Sequence, residues 1–279
     1  MAVHPLSSLE AQRMRVLMVV KAYPQPSRSY DELVCTAGVL EDGSWVRIYP
    51  VPFTFLRFAK YQWIDLDLIR NTSDFRPESF RPVHTDLADM EIVENLDTSQ
   101  KWAARKRYCC TDVYTSLTDL IAASRSPAFK SLATFKPTEV LDLVIENDER
   151  EWKKKWLDQL KQIDMFTQAP DVEYKPRIPI RKLPYKFRYK FVDSDGREST
   201  LMIEDWEIGA LYWNCLKNAE GDEEEALEKV REKYLIAFAK KDLHLFLGTT
   251  QIYHAKKAPN PFVVIGVFYP PIDIQYKLL

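Results

Sequence analysis

One octet constrains the chain more than any other segment. From Tyr185 to Val192, Tyr185, Phe187, Tyr189 and Phe191 hold one parity and Lys186, Arg188 and Lys190 the other. Side chains alternate across a strand, so the octet reads as a β-strand with one aromatic face buried and one basic face outside. Such a strand needs partners and an apolar cover, and the following sequence supplies both. Asp195-Gly196 marks a turn into a second strand at 199–203, giving a hairpin. Two helices follow. The first, at 206–217, carries the stripe Ile208, Leu211, Tyr212 and Cys215; the second, at 223–240, is acidic at its start and lysine-rich at its end, as the helix dipole favours. Strands at 242–247 and 262–269 complete a ββααββ part.

The N-terminal half also alternates. Strands are predicted at 15–22, 33–40, 44–49 and 62–69, with Asp42-Gly43 as a hairpin signal between the second and third. In the last, Ile64, Leu66 and Leu68 are expected inside and Trp63, Asp65 and Asp67 outside. These strands suggest a curled sheet or small barrel. Helical spacing at 97–137, with Val113, Leu117, Leu120 and Ile121 as one stripe, predicts a helical insert. A strand at 139–146 and an amphipathic helix at 148–162 follow. Residues 168–184 contain Pro170, Pro176, Pro179 and Pro184 without a glycine, which reads as a stiff linker. The expected fold class is therefore α+β: an N-terminal domain (1–167), a linker (168–184) and a C-terminal domain (185–279).

With 7 glycines in 279 residues, several chemistries are disfavoured. There is no G-x-G-x-x-G dinucleotide turn. Gly38 and Gly43 have Walker spacing, but Ser44-Trp45 replaces the Lys-Ser/Thr pair that must reach the phosphates. The G-x-S-x-G and H-E-x-x-H patterns are missing too. Cys35, Cys109, Cys110 and Cys215 form no C-x-x-C and have no histidine at ligand spacing, so neither a zinc site nor a disulfide framework is expected. No apolar run approaches about 18 residues, and no apolar signal segment precedes a cleavage site, so we expect a cytoplasmic protein without a membrane partner.

The net charge of −2 leaves nucleic-acid binding to local clustering. Residues 175–190 hold seven basic side chains and no acid, among them Arg181, Lys182, Lys186, Arg188 and Lys190. Cations along one strand face, spaced about 6–7 Å, can track phosphates. The same row is accounted for as a solvated face paired with the acidic helix at 222–225. Trp45, Arg47 and Tyr49 form a second candidate, two aromatics flanking a guanidinium, with Arg28 in the preceding loop. Its alternative is packing against the helical insert. For catalysis, Glu204, Asp205 and Asp65 are the carboxylates that would hold Mg²⁺, although Asp205 also fits a helix N-cap. His244 and His254 are the histidines that could converge, with His244 the weak candidate base.

At Lys21-Ala22-Tyr23-Pro24, Glu32, Val34-Cys35, Ala37-Gly38 and 45–50, and again at 203–207 and 242–248, the chain resembles a family of uncharacterised prokaryotic proteins with no assigned activity. The resemblance implies a bacterial or archaeal cytosolic origin. The sheet around Gly43 is similar to PUA-like barrels that bind nucleic acid, an analogy of fold alone. The expectation is a nucleic-acid-binding protein of a prokaryotic defence or processing system, with no cofactor. The alternatives are a metal-dependent nuclease or phosphodiesterase, which would use Mg²⁺, and a non-catalytic protein whose acidic helix at 222–240 meets a basic partner.

Overall fold

The computed structural model describes residues 10–26, 32–154, 156, 158 and 180–273. The fold is α+β. Strands β1 (Gln12–Lys21), β3 (Glu32–Val39), β4 (Trp45–Pro52), β6 (Ser79–Pro82) and β5 (Gln62–Arg70) pair in that order, and β5 pairs back to β1 to close a five-stranded barrel. Short β2 (Gln25–Pro26) adds to β3, and β7 (Glu91–Asn95) adds to β5. The β3–β4 turn is where the Asp-Gly signal placed it, with Gly43 at φ 83°, a left-handed conformation that suits glycine. Barrel closure depends on β6, a short strand ending in proline that no alternation marks in the sequence.

The region expected to be helical is mixed. Helices α1 (Ser99–Cys109) and α2 (Leu117–Ala123) are separated by β8 (Val113–Tyr114) and followed by β9 (Leu132–Phe135). Val113 is thus a strand residue and not part of the helical stripe, whereas Leu117 and Leu120 are buried on α2. Strands β8 and β9 are recruited by β13 (His244–Thr249) and β14 (Phe262–Phe268) into a four-stranded sheet ordered β14-β13-β9-β8. Tertiary pairing decides here over local periodicity.

A second sheet joins β10 (Glu139–Asn147), β11 (Tyr185–Val192) and β12 (Glu198–Met202). Strand β10 lies before the proline-rich stretch and hydrogen-bonds with β11 after it, from Glu139↔Val192 to Asn147↔Tyr185. The stretch therefore connects two strands of one sheet. Most of it lies outside the described residues, as do Arg28 and positions 155, 157 and 159–162 of the helix expected at 148–162, whose residues 148–153 are not helical. Helix α3 (Trp206–Asn218) and α4 (Glu223–Arg231), which runs on as a π-helical turn through residue 237, cover this sheet, and a short α5 (Gln251–Ala255) links β13 to β14.

Three apolar layers result. Val16, Met18, Ile48, Ile64, Leu66 and Leu68 fill the barrel. Leu17, Val19, Ala37 and Trp63 on its outer wall meet Leu132, Phe246, Ile265 and Phe268 of the four-stranded sheet. This second layer explains why β1 is buried without interruption from Val16 to Val20, and why Trp63, expected outside, is buried edge-on against Tyr108. The third layer lies among both C-terminal sheets and the helices.

Tyr23, just past β1, locks the barrel to α3. Its ring packs on Trp206 with centroids 5.5 Å apart, and its hydroxyl donates to Arg181 O and accepts from Trp213 Nε1. A Cβ at Gly209 would approach that ring to 2.4 Å. Gly209→Ala should therefore cost about 1–3 kcal/mol by overpacking, read as a lowered urea midpoint with an unchanged slope.

Candidate nucleic-acid interface

The basic row forms as alternation requires: Lys186, Arg188 and Lys190 lie partly exposed while Phe187, Tyr189 and Phe191 are buried. Each cation, however, is met by an acid. Lys186 Nζ is 3.2 Å from Asp148, Arg188 Nε 3.1 Å from Glu146 and Lys190 Nζ 2.8 Å from Glu198. Lys182 Nζ lies 2.7 Å from the same Asp148, and the Arg181 guanidinium stacks 3.8 Å over Trp213. Exposed pairs of this kind contribute at most about 1 kcal/mol each, yet the three acids Asp148, Glu146 and Glu198 offset most of the charge of Lys182, Lys186, Arg188 and Lys190. The compensating acids come from β10, β12 and the loop after β10. In the acidic helix, Glu223 is bound by Arg150 and Tyr185, each at 2.5 Å, and these bonds hold its carboxyl down at about 2.

Trp45, Arg47 and Tyr49 do not form an open face. Trp45 packs edge-on against Phe246 at 5.4 Å, and only Tyr49 is exposed. Arg47 is 3% exposed, because β9 covers this side of β4. A guanidinium buried there needs acceptors. Nη2 donates to Ser131 O at 3.1 Å and Oγ at 3.3 Å, and Nη1 to Cys35 Sγ at 3.3 Å. Glu78 accepts from Ser131 N at 2.8 Å and from Ser131 Oγ at 2.9 Å.

This is one edge of a larger buried network. Asp74 accepts from Arg76 Nε at 2.8 Å, Arg76 Nη2 at 2.5 Å and Ser79 Oγ at 2.7 Å. Arg76 Nη1 donates to Thr249 O at 2.6 Å, Thr249 Oγ1 lies 3.0 Å from His254 Nδ1, and His254 Nε2 lies 2.5 Å from Ser124 O. A carbonyl can only accept, so Nε2 carries the proton, and in the neutral imidazole Nδ1 accepts from the threonine hydroxyl. Burial lowers the His254 pKa and favours that form. The network ties together the β5–β6 loop, the α2–β9 loop and the β13–β14 connection.

Two rings stand on its outer side. Phe75 is 45% and Phe129 36% exposed; they meet edge-to-face at 5.9 Å, and both lie against His254, at 5.0 and 6.5 Å. Phe129 has φ 49°, a left-handed conformation that a bulky residue adopts only when its surroundings fix it. Arg125, four residues before Phe129, donates through Nη2 to Ala258 O at 2.5 Å, and Lys256 and Lys257 follow His254 by two and three residues, exposed at the end of α5. Residues 243–272 contain no Asp or Glu, and among the described residues none of these three cations is in an ion pair. The acids in the adjoining barrel loop, Asp74 and Glu78, are already hydrogen-bonded. Sequence reasoning missed this face because Phe75, Phe129 and Lys256 are far apart in the chain; the acid-free stretch around Lys256-Lys257 was its one visible signal.

The carboxylate candidates do not assemble. Asp205 is fully buried and caps α3, accepting from Glu207 N at 3.3 Å. Its Oδ atoms lie 3.1 and 3.2 Å from Lys60 Nζ, which also lies 2.9 Å from Glu207. Burial pushes Asp205 up to about 6, Lys60 opposing and Glu207 adding, while burial of Lys60 is outweighed by the two carboxylates, so that its ammonium is held above the ordinary range. Two acids facing one buried ammonium draw protons toward both partners. Asp65 is instead bound by Arg15 of β1 through two contacts of 2.8 Å, and Glu204 is raised by burial alone. Among the described residues no three His, Cys, Asp or Glu side chains come together as a metal set. His244, buried with Nδ1 2.9 Å from Asp242 O, lies at the opposite end of β13 from the Thr249–His254 contact, so the two histidines do not converge.

The family described as Domain of unknown function (DUF8757) matches residues 112–278, and a second, Domain of unknown function (DUF8758), matches residues 12–111. The chain belongs to the DUF8757 family. No curated protein matches it. The barrel is the DUF8758 segment, and the two segments meet at 111/112, ahead of the proline-rich stretch at 168–184. Arg47–Ser131, Arg76–Thr249 and Lys60–Asp205 all cross from one segment to the other.

The crossing network has a pH signature. Burial alone would raise Asp74, but Arg76 and Ser79 outweigh it and hold the carboxyl down at about 2. A depressed acid stabilises the fold above its unfolded value of about 3.9 and loses that contribution as pH falls toward 2. Asp74→Asn should cost about 3–5 kcal/mol at neutral pH by leaving Arg76 unpaired, and its thermal midpoint should approach that of wild type between about pH 4 and 2.

Proposed function

We propose that the protein binds nucleic acid through the face formed by Phe75, Phe129, Arg125, Lys256 and Lys257. The observation that supports this is the juxtaposition of two exposed rings, fixed from beneath by a buried hydrogen-bond network, with cations in acid-free segments. Phosphate neutralisation by cations supplies affinity, and aromatic rings supply stacking surfaces that every base can use. In this reading the β11 row is secondary, because each of its three cations is met by an acid. The metal-dependent alternative lacks comparable support, since Asp65 and Asp205 are each held by a cation. The setting in this reading is the cytoplasm of a prokaryotic cell, within a defence or nucleic-acid-processing system.

Fluorescence anisotropy with labelled DNA and RNA at 50–200 mM salt tests the proposal. Affinity should fall steeply with salt. The double substitution Lys256→Glu/Lys257→Glu should weaken binding about tenfold or more for every sequence and reduce the salt slope by about 2. Lys186→Ala/Arg188→Ala/Lys190→Ala should change it less. Absence of binding at low salt, or a double variant equal to wild type, would contradict the proposal.

A further inference from the structure

Resting on the reading above, we infer that the ligand is single-stranded, with unpaired bases stacked on Phe75 and Phe129. The ring planes stand 80° apart with centroids 5.9 Å from each other. In a duplex the faces of the bases cover one another, so a protein ring reaches a base face only where the base is unstacked. Two nearly perpendicular rings cannot both lie parallel to the bases of one helical stack; they match neighbouring bases splayed apart, as at a bend in a flexible strand. The rings are held for this role. His254 backs both, and its two nitrogens are fixed by Thr249 and Ser124; Phe129 keeps its left-handed backbone while its amide donates to Arg125 O at 2.9 Å. The Arg125 guanidinium is anchored through Nη2 to Ala258 O at 2.5 Å. The excess of cations favours a polyanion over a protein partner, because lysine is depleted in protein–protein interface cores.

The test compares a labelled 12-nucleotide single strand, DNA and RNA in turn, with its blunt duplex, against the full chain, and follows a 2-aminopurine base within the single strand. The single strand should bind about tenfold or more tightly than the duplex, and 2-aminopurine fluorescence should be quenched on binding. Phe75→Ala and Phe129→Ala should each weaken single-strand binding about tenfold while leaving duplex binding within about twofold, and Phe75→Tyr should restore it. Both rings are at the surface, so circular dichroism should show folded variants. Equal binding of strand and duplex, insensitive to both alanine variants, would overturn the stacking inference and leave the phosphate-binding reading standing. No binding of any nucleic acid at low salt would overturn both, as would a co-purifying protein released by Phe75→Ala in its place.

Discussion

The buried ion pair between Asp74 and Arg76 is the contact on which the arrangement of the candidate face depends. Burying a guanidinium and a carboxylate is expensive, and the cost is offset only when every donor and acceptor is used. Here Ser79 takes a remaining carboxylate position and the Thr249 carbonyl takes the remaining fork of the arginine. That last bond reaches from the barrel to β13, so the pair is satisfied only when barrel and sheet are docked. Two further elements inherit their positions: α5 through the Thr249–His254 contact, and the α2–β9 loop through Ser124 at one end and Ser131, held by Glu78 and Arg47, at the other. A buried pair satisfied in this way specifies one geometry, because partial satisfaction is worse than none.

Lys60, Asp205 and Glu207 make a second junction of the same chemistry. Asp205 serves at once as N-cap of α3 and as counterion of a buried lysine. The two junctions with the apolar layer between them make the barrel and the C-terminal sheets a single packed body, although the family boundaries treat them as separate segments.

Strands whose one face is buried were legible, because period-two alternation survives in 185–192 and in the strands around the Asp-Gly turn. One cap was legible too: Asp205 before Trp206 has the residue type and place that a helix start demands. Other features were hidden for physical reasons. Strand β6 is too short to alternate, and β8 and β9 exist through their pairing with each other and with β13 rather than through their own pattern. Arg47 has the parity of an outward residue, but the outside of the barrel wall is itself an interface, so parity assigns a face and not its solvent exposure. The basic octet was read correctly as a strand; its charge balance rests on Glu146 and Glu198 of the flanking strands, and the register with β10 was not visible across the proline-rich stretch. Phe75 and Phe129 carry no local signature, since only the network beneath them brings their loops together.

Zero-length photocrosslinking tests the central claim most directly. A 4-thiouridine-substituted single strand is bound to the full chain at low salt, irradiated, and the attached peptides are mapped by mass spectrometry. The account predicts attachment within residues 71–78 and 124–131, with Phe75 and Phe129 as the main positions. Crosslinks confined to β11, or spread without preference over the surface, would contradict it.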